Sequence, residues 1–306
     1  MTANRTGPAN LAEIDRRADD ALSLCFWGVR GSTPVSGPDY LEFGGSTPCL
    51  EVRCGRRLFV IDAGTGLGAL GRERSDTLPK EVDLLFSHLH LDHTAGLPFF
   101  KPAVFDASRT IRTYCGNLDG TSAEETLGRL FSPPLFPVTL DILPCGFEHH
   151  GFRAGDTLSF PDGSRVDTIL LNHPQGSTGY RFEHAGKRLC VISDIEHGDP
   201  WPDPALLSFV EGADLLVYDG MFTQDEYPRC CGWGHSTWQK GVELAQAAGV
   251  GALAIIHLHP MHGDATLRAM EGAMQAIMPT AFIARERQTV ELGAAGMHRP
   301  VLARSA

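Results

Sequence analysis

The feature that most constrains this chain is the run Ser87-His88-Leu89-His90-Leu91-Asp92-His93, entered directly from Val82-Asp83-Leu84-Leu85-Phe86. The mainly apolar stretch reads as a buried strand. The polar burst then falls just past the strand's C-terminal end, where α/β sheets present functional loops. In extended backbone alternate residues share a side, so His88 and His90 point together. Asp92 and His93 follow where the chain must turn and offer donors in a second direction. Imidazole nitrogens with one carboxylate suit a borderline divalent ion, zinc before others. The competing reading is a loop of solvated histidines. With 13 histidines in 306 residues, chance assembles such a pattern only about once per thousand chains of this length, and the metal reading leads.

If these four residues serve two ions, each ion needs further partners, because catalytic zinc takes about three protein ligands and a water. Three residues qualify by position, each directly after an expected strand. His173 closes Ile169-Leu170-Leu171-Asn172, Asp194 closes Cys190-Val191-Ile192-Ser193, and His257 closes Leu253-Ala254-Ile255-Ile256. One ion then takes His88, His90 and His173, the other Asp92, His93 and His257, and Asp194 bridges them. A water shared between two such ions would serve as the nucleophile.

Charge and cysteine usage narrow the classes. A formal net charge of −11 argues against a broad nucleic-acid surface, which needs clustered Lys and Arg. A small anionic substrate stays compatible, since bound ions would dominate the local field. The eight cysteines form no C-x-x-C pair, which argues against zinc-ribbon and thioredoxin-like motifs; Cys230-Cys231 is a side candidate for a metal or redox role. No stretch reaches the roughly 20 apolar residues that span a bilayer, and no apolar signal core opens the chain. A soluble, cytoplasmic protein without membrane association is expected.

Strands are expected over residues 22–27, 47–53, 57–61, 82–86, 165–171, 179–183, 188–193, 214–218 and 252–257. Helices are expected over 67–71, 123–130, 237–248 and 265–278. Ser122, with Glu125 three residues on, fits a helix N-cap. Residues 131–137, with three prolines, suit neither helix nor central strand and either cover a pocket or brace a surface crossing. His149 and His150 are placed in a solvated, charged loop. The chain is expected to be a polar arm over residues 1–20 and one domain over 21–306, with a lid or insertion at 101–150. Two packed sheets with helices outside follow from the order of elements.

Together these residues resemble the metallo-β-lactamase superfamily, in the branch with ribonuclease Z and related phosphodiesterases. H-x-H-x-D-H at His88, His90, Asp92 and His93, then His173, Asp194 and His257 after their strands, carry a resemblance running from about Leu22 to Ala284. It implies a mixed α/β chain folded as an αββα four-layer sandwich, with the site at one edge of both sheets. It also implies that Asp62, in Asp62-Ala63-Gly64-Thr65-Gly66, buttresses the metal loop without binding metal. Gly234-His235-Ser236-Thr237 is similar to the histidine motif of the ribonuclease Z group. By that likeness His235 is a proton donor or oxyanion stabiliser near the scissile phosphate, a role imidazole suits near neutral pH. Asp219 stands where that group carries a glutamate that orients this histidine.

Further segments resemble a bacterial small-molecule branch: Phe26-Trp27-Gly28-Val29-Arg30-Gly31-Ser32, Asn172-His173-Pro174 and Ser193-Asp194-Ile195-Glu196-His197. Arg30, Ser32, Ser236 and Thr237 are candidate substrate contacts, although Arg30 equally suits a structural ion pair and Ser236 a helix N-cap. His259 is expected as a supporting or surface histidine in preference to a ligand. The expected function is hydrolysis of a small or cyclic phosphodiester, such as a cyclic nucleotide, by a binuclear centre of zinc or manganese. Asp92, Asp219 and His235 are its catalytic candidates. The expected partner is the small-molecule substrate; long nucleic acid is disfavoured, and a homodimer is compatible. Thioester or lactam hydrolysis is the alternative. A diiron oxidoreductase is remoter, because His90 stands where that branch carries Glu.

Overall fold

The computed structural model describes residues 21–118, 120–134, 136–293 and 296–298; the expected arm at 1–20 lies outside the described residues. The first sheet contains β1 (Leu22–Gly28), β2 (Cys49–Cys54), β3 (Arg57–Ile61), β4 (Glu81–Phe86), β5 (Thr110–Gly116) and β6 (Gly146–Phe152). The second contains β7 (Thr157–Ser159), β8 (Arg165–Leu171), β9 (Ser177–His184), β10 (Lys187–Ile192), β11 (Leu215–Asp219), β12 (Leu253–Ile256) and β13 (Ala281–Ile283). The chain then returns to the first sheet with β14 (Thr289–Gly293) and β15 (Gly296–His298), giving the orders β15-β14-β1-β2-β3-β4-β5-β6 and β13-β12-β11-β10-β9-β8-β7.

Period-two alternation assigns each strand's faces. In β1, Leu22, Leu24 and Phe26 join the core between the sheets, while Cys25 and Trp27 join the layer outside the first sheet. In β3, Phe59 and Ile61 face inward and Leu58 and Val60 outward. Strands covered on both faces read as continuous apolar runs. Across the sheet interface Phe59 meets Phe182 at 5.5 Å between ring centroids. The outer layer of the first sheet is α1 (Leu67–Arg74) with the short α2 (Leu91–Thr94) and α3 (Lys101–Val104), then α4 (Ala123–Gly128); Leu67, Leu70, Phe100 and Val104 are fully buried there. The second sheet is covered by α5 (Pro204–Val210), α6 (Trp238–Ala247) and α7 (Asp264–Ile277), which bury Val242, Leu244, Leu267 and Met274. Helices, two sheets and helices again make the four layers that the resemblance implies.

Two local expectations change. His149 and His150 lie in β6, paired in parallel with Thr113 and Tyr114 of β5, and not in a loop. An edge strand with one covered face can carry charges throughout, which conceals it in the sequence. Thr237, not Ser236, caps α6: its side chain accepts from the Lys240 amide at 3.2 Å. The proline-rich loop packs against the outer layer, with Phe131 buried and its ring 5.3 Å from Phe136. The Ser122 cap is present, its hydroxyl accepting from the Glu125 amide at 3.0 Å.

Candidate metal centre

The neighbouring strands β3 and β4, like β10, β11 and β12, run parallel, and their C-terminal ends fall at one edge of the fold. Asp62 follows β3, Ser87 and His88 follow β4, Asp194 comes two residues after β10, Asp219 ends β11 and His257 follows β12. Three of these turn sharply: Asp62, Asp194 and His257 have φ of 61°, 57° and 59°. Left-handed backbone at non-glycine residues costs on the order of 1–3 kcal/mol each and concentrates at functional sites. Here it turns carboxylates and an imidazole out of their strands and into one cluster.

The seven expected ligands come together. Single donor atoms of His88, His90 and His173 lie within 4.8 Å of one another, as do those of Asp92, His93 and His257. Asp194 stands between the two sets: its Oδ2 is 3.2 Å from His257 Nε2, 3.3 Å from His93 Nε2, 3.8 Å from His88 Nε2 and 4.0 Å from His173 Nε2. The far side of most rings is engaged. His93 Nδ1 donates to Asp62 at 2.8 Å and His173 Nδ1 to the Gly234 carbonyl at 2.7 Å. Carboxylate and carbonyl oxygens only accept, which puts the proton on Nδ1 and leaves the Nε2 lone pair facing the cluster. Asp62 also accepts from the Ser87 amide at 2.8 Å, and so ties the start of the motif loop to its end.

These residues fit a divalent cation on their own chemistry. His88 Nε2 and His93 Nε2 are buried, face the carboxylates and have no hydrogen-bond partner. Burial lowers the His88 and His173 imidazoles below their ordinary value, His88 by much the more, with neighbouring histidines adding to the effect. A neutral imidazole is the form that binds metal. Burial would raise Asp194 and Asp92, yet the positive histidines around them hold both carboxyls well below the usual range. Burial would likewise lower His93 and His257, but Asp194 with Asp62, and Asp194 with Asp92, override it; His257 is pushed up to about 9. Buried carboxylates that draw protons onto neighbouring imidazoles are carboxylates short of a cation.

Beside this cluster His235, 9% exposed, donates from Nδ1 to Asp219 Oδ2 at 2.8 Å. Its ring stacks on His257 with centroids 4.6 Å apart and planes 22° apart. Asp219 is fully buried and fixed by the amides of Met221 and Ile195 at 3.0 and 3.3 Å. The shorter aspartate thus still reaches the histidine.

Of the four candidate substrate contacts, three are spent on structure. Arg30 is fully buried, its guanidinium donating to the carbonyls of Gly44 at 2.8 Å and His262 at 2.7 Å. Ser236 bonds the Tyr218 hydroxyl at 2.8 Å and His197 Nδ1 at 2.9 Å, and Thr237 caps its helix. Ser32 contributes its backbone, the amide donating to Asp92 Oδ2 at 2.8 Å. His259 lies against Phe222 and accepts from the Met261 amide, outside the donor sets. Cys230 and Cys231 join none of them. Two residues of the site carried no clear sequence signal of a role. Gln175 Oε1 lies 3.0 Å from His90 Nε2, and Glu196 accepts from the amides of Gly232 and Gly234 ahead of His235. A cavity of about 220 Å³ opens beside His88 and His90, walled by Asn117, Thr121, Thr126 and Gln175.

A family model described as a beta-lactamase superfamily domain matches residues 57–258. Ribonuclease Z of Porphyromonas gingivalis is 24% identical over 282 residues, covering 77% of this chain and 90% of that protein. Among solved structures, the metallo-beta-lactamase fold protein YhfI from Bacillus subtilis gives a TM-score of 0.67 at 18% identity, over 89% of this chain and 99% of that one. A diphosphatase of the PhnP family gives 0.64 at 16% identity, over 89% and 97%. At these identities the structural likeness speaks for the fold alone.

Proposed function

The chain belongs to the beta-lactamase superfamily, among metal-dependent hydrolases, and from that premise we propose that it cleaves a phosphodiester bond of a small or cyclic phosphodiester. The observation that carries this reading is the His235–Asp219 pair at 2.8 Å, set against the donor cluster. A phosphodiester's departing alkoxide needs a proton, and a positioned imidazole supplies one. Thioester or lactam hydrolysis gives this pair no evident task.

In this reading His88, His90 and His173 hold one ion, Asp92, His93 and His257 hold a second, and Asp194 is shared. The nitrogen-rich set favours zinc, with manganese second. Bound there, the ions supply Lewis-acid polarisation and neutralise charge on the phosphoryl oxygens. The chain's own residues do the rest. Asp219 orients the His235 ring through Nδ1 and offsets the charge of its protonated form. As water adds to phosphorus and the P–O bond to the leaving group breaks, His235 Nε2 gives its proton to the leaving oxygen. Asp62 and the Ser32 amide hold His93 and Asp92 in place.

The likeness to a ribonuclease Z fits chemistry at phosphorus in general. The net charge of −11 favours a small substrate over long RNA, whose backbone calls for clustered cations. The test is release of p-nitrophenol from bis(p-nitrophenyl) phosphate by protein loaded with zinc or manganese, followed by a panel of cyclic nucleotides. Turnover that disappears in Asp194→Ala supports the reading. Protein that holds metal, leaves every phosphodiester intact and cleaves thioesters would overturn it.

A further inference from the structure

Neither the donor cluster nor the proton donor accounts for Trp233. Its indole is 61% exposed, although tryptophan is usually well covered. It sits on a tightly tethered loop. The amides on either side of it, Gly232 N at 2.6 Å and Gly234 N at 2.8 Å, both donate to Glu196, which also accepts from the Tyr227 hydroxyl at 3.0 Å. The Glu196 amide donates in turn to the Asn172 carbonyl at 2.7 Å, next to His173. The Gly234 carbonyl accepts a hydrogen bond from His173 Nδ1, and His235 is the next residue. The Trp233 ring lies edge-on to buried Phe222 at 6.5 Å, and Phe222 lies 6.2 Å from His235. An exposed indole is therefore presented from a fixed backbone beside the group assigned to protonate the leaving oxygen.

Three other apolar residues near the proposed ligands in sequence are also exposed. Leu91, Leu170 and Met261 are each more than half exposed. Leu91 stands inside the H-x-H-x-D-H run, Leu170 three residues before His173 and Met261 four after His257. Exposed apolar side chains this near in sequence to a charged centre suit a ligand with an anionic middle and an apolar flank.

Resting on the phosphodiesterase reading, we propose that Trp233 is a specificity-determining residue that stacks a planar ring, nucleobase or aryl, carried on the leaving side of the phosphodiester. A tethered loop has little freedom left to lose on contact, and stacking on an aromatic side chain accepts any ring with a π face. Ring-bearing diesters are then preferred over dialkyl ones.

The experiment uses the metal-loaded enzyme turning over bis(p-nitrophenyl) phosphate, with diphenyl phosphate and diethyl phosphate as competing inhibitors of equal charge. The expected result is tighter inhibition by diphenyl phosphate, weakened about tenfold or more in Trp233→Ala. Inhibition by diethyl phosphate stays near its original strength, and Trp233→Phe keeps most of the preference. A preference that survives Trp233→Ala, or an equal loss for both inhibitors in both variants, overturns the role of Trp233 alone. A wild-type enzyme that hydrolyses no phosphodiester overturns the phosphodiesterase reading, and this inference with it.

Discussion

The seven proposed ligands divide into two kinds. His88, His90, Asp92 and His93 come from one short run: Asp62 and Ser87 engage His93, and the Ser32 amide, 60 residues away in sequence, engages Asp92. His173, Asp194 and His257 come singly from distant strands, and their placement depends on backbone far away in sequence. Asp194 and His257 sit at positive φ. His257 packs on Gly31, where an added Cβ would lie 2.4 Å from Nδ1, and His173 on Gly234, where a Cβ would also lie 2.4 Å from Nδ1. The run's four donors are neighbours by sequence alone, although their braces are not. The scattered set comes entirely from the second sheet and meets the run only once the two sheets have packed. Pattern reveals the first kind by its spacing and the second by where each residue ends an apolar strand, while tertiary contacts bring the second to the run.

The largest effect is expected at the residue that joins the two sets. Asp194→Ala should bring phosphodiester turnover below detection, measured at saturating zinc. Retained turnover would mean that the run suffices without the scattered residues. Next comes His235→Ala, expected to cut kcat by about 10²–10⁴ on the scale of lost acid catalysis. Metal content in that variant should match wild type by elemental analysis. A parallel loss of metal would make His235 a ligand and enlarge the scattered set.

Gly31→Ala tests the contrast directly. Displacing His257 should weaken metal affinity by about 10–100-fold, the scale for disturbing a ligand's support, read in a chelator competition. Gly234→Ala, with φ of 87°, should do the same through His173. Gln175→Ala removes the partner of His90 Nε2 and should cost about tenfold at most, the low end of that scale, because the rest of the run holds.

The smallest effect concerns the metal-free protein. His257 is raised from an ordinary 6.5 to about 9 by Asp194 and Asp92, against the pull of burial. A raised imidazole stabilises the fold fully below its unfolded value and loses that contribution as pH climbs through the folded one. The melting temperature of metal-free protein should therefore fall between pH 6.5 and about 9. Zinc-loaded protein should lack that trend. A flat profile for both would show that His257 carries no charge before metal binds.

Much of this was legible in the sequence, and the exceptions have physical causes. The run announced itself because four donors crowd into six residues behind an apolar strand. His173, Asp194 and His257 were legible because each breaks an apolar run at its end, as a residue turned out of a buried strand must. Residues whose role is to brace a ligand or a loop were not. Gln175 and Glu196 look like ordinary loop polars, and their roles depend on which chain segments face them. Arg30, Ser236 and Thr237 misled for a related reason: side chains suited to phosphate are equally suited to orphan carbonyls, hydroxyls and helix amides. The β6 histidines were misplaced because an edge strand needs no apolar face.

The most direct test is a zinc titration of metal-free protein that follows bound metal and phosphodiester turnover in the same samples. Turnover that develops fully only as a second ion per chain binds is the expected result, with Asp194→Ala inactive at every ratio. Full turnover at one ion per chain, or none at two, would contradict a shared binuclear centre.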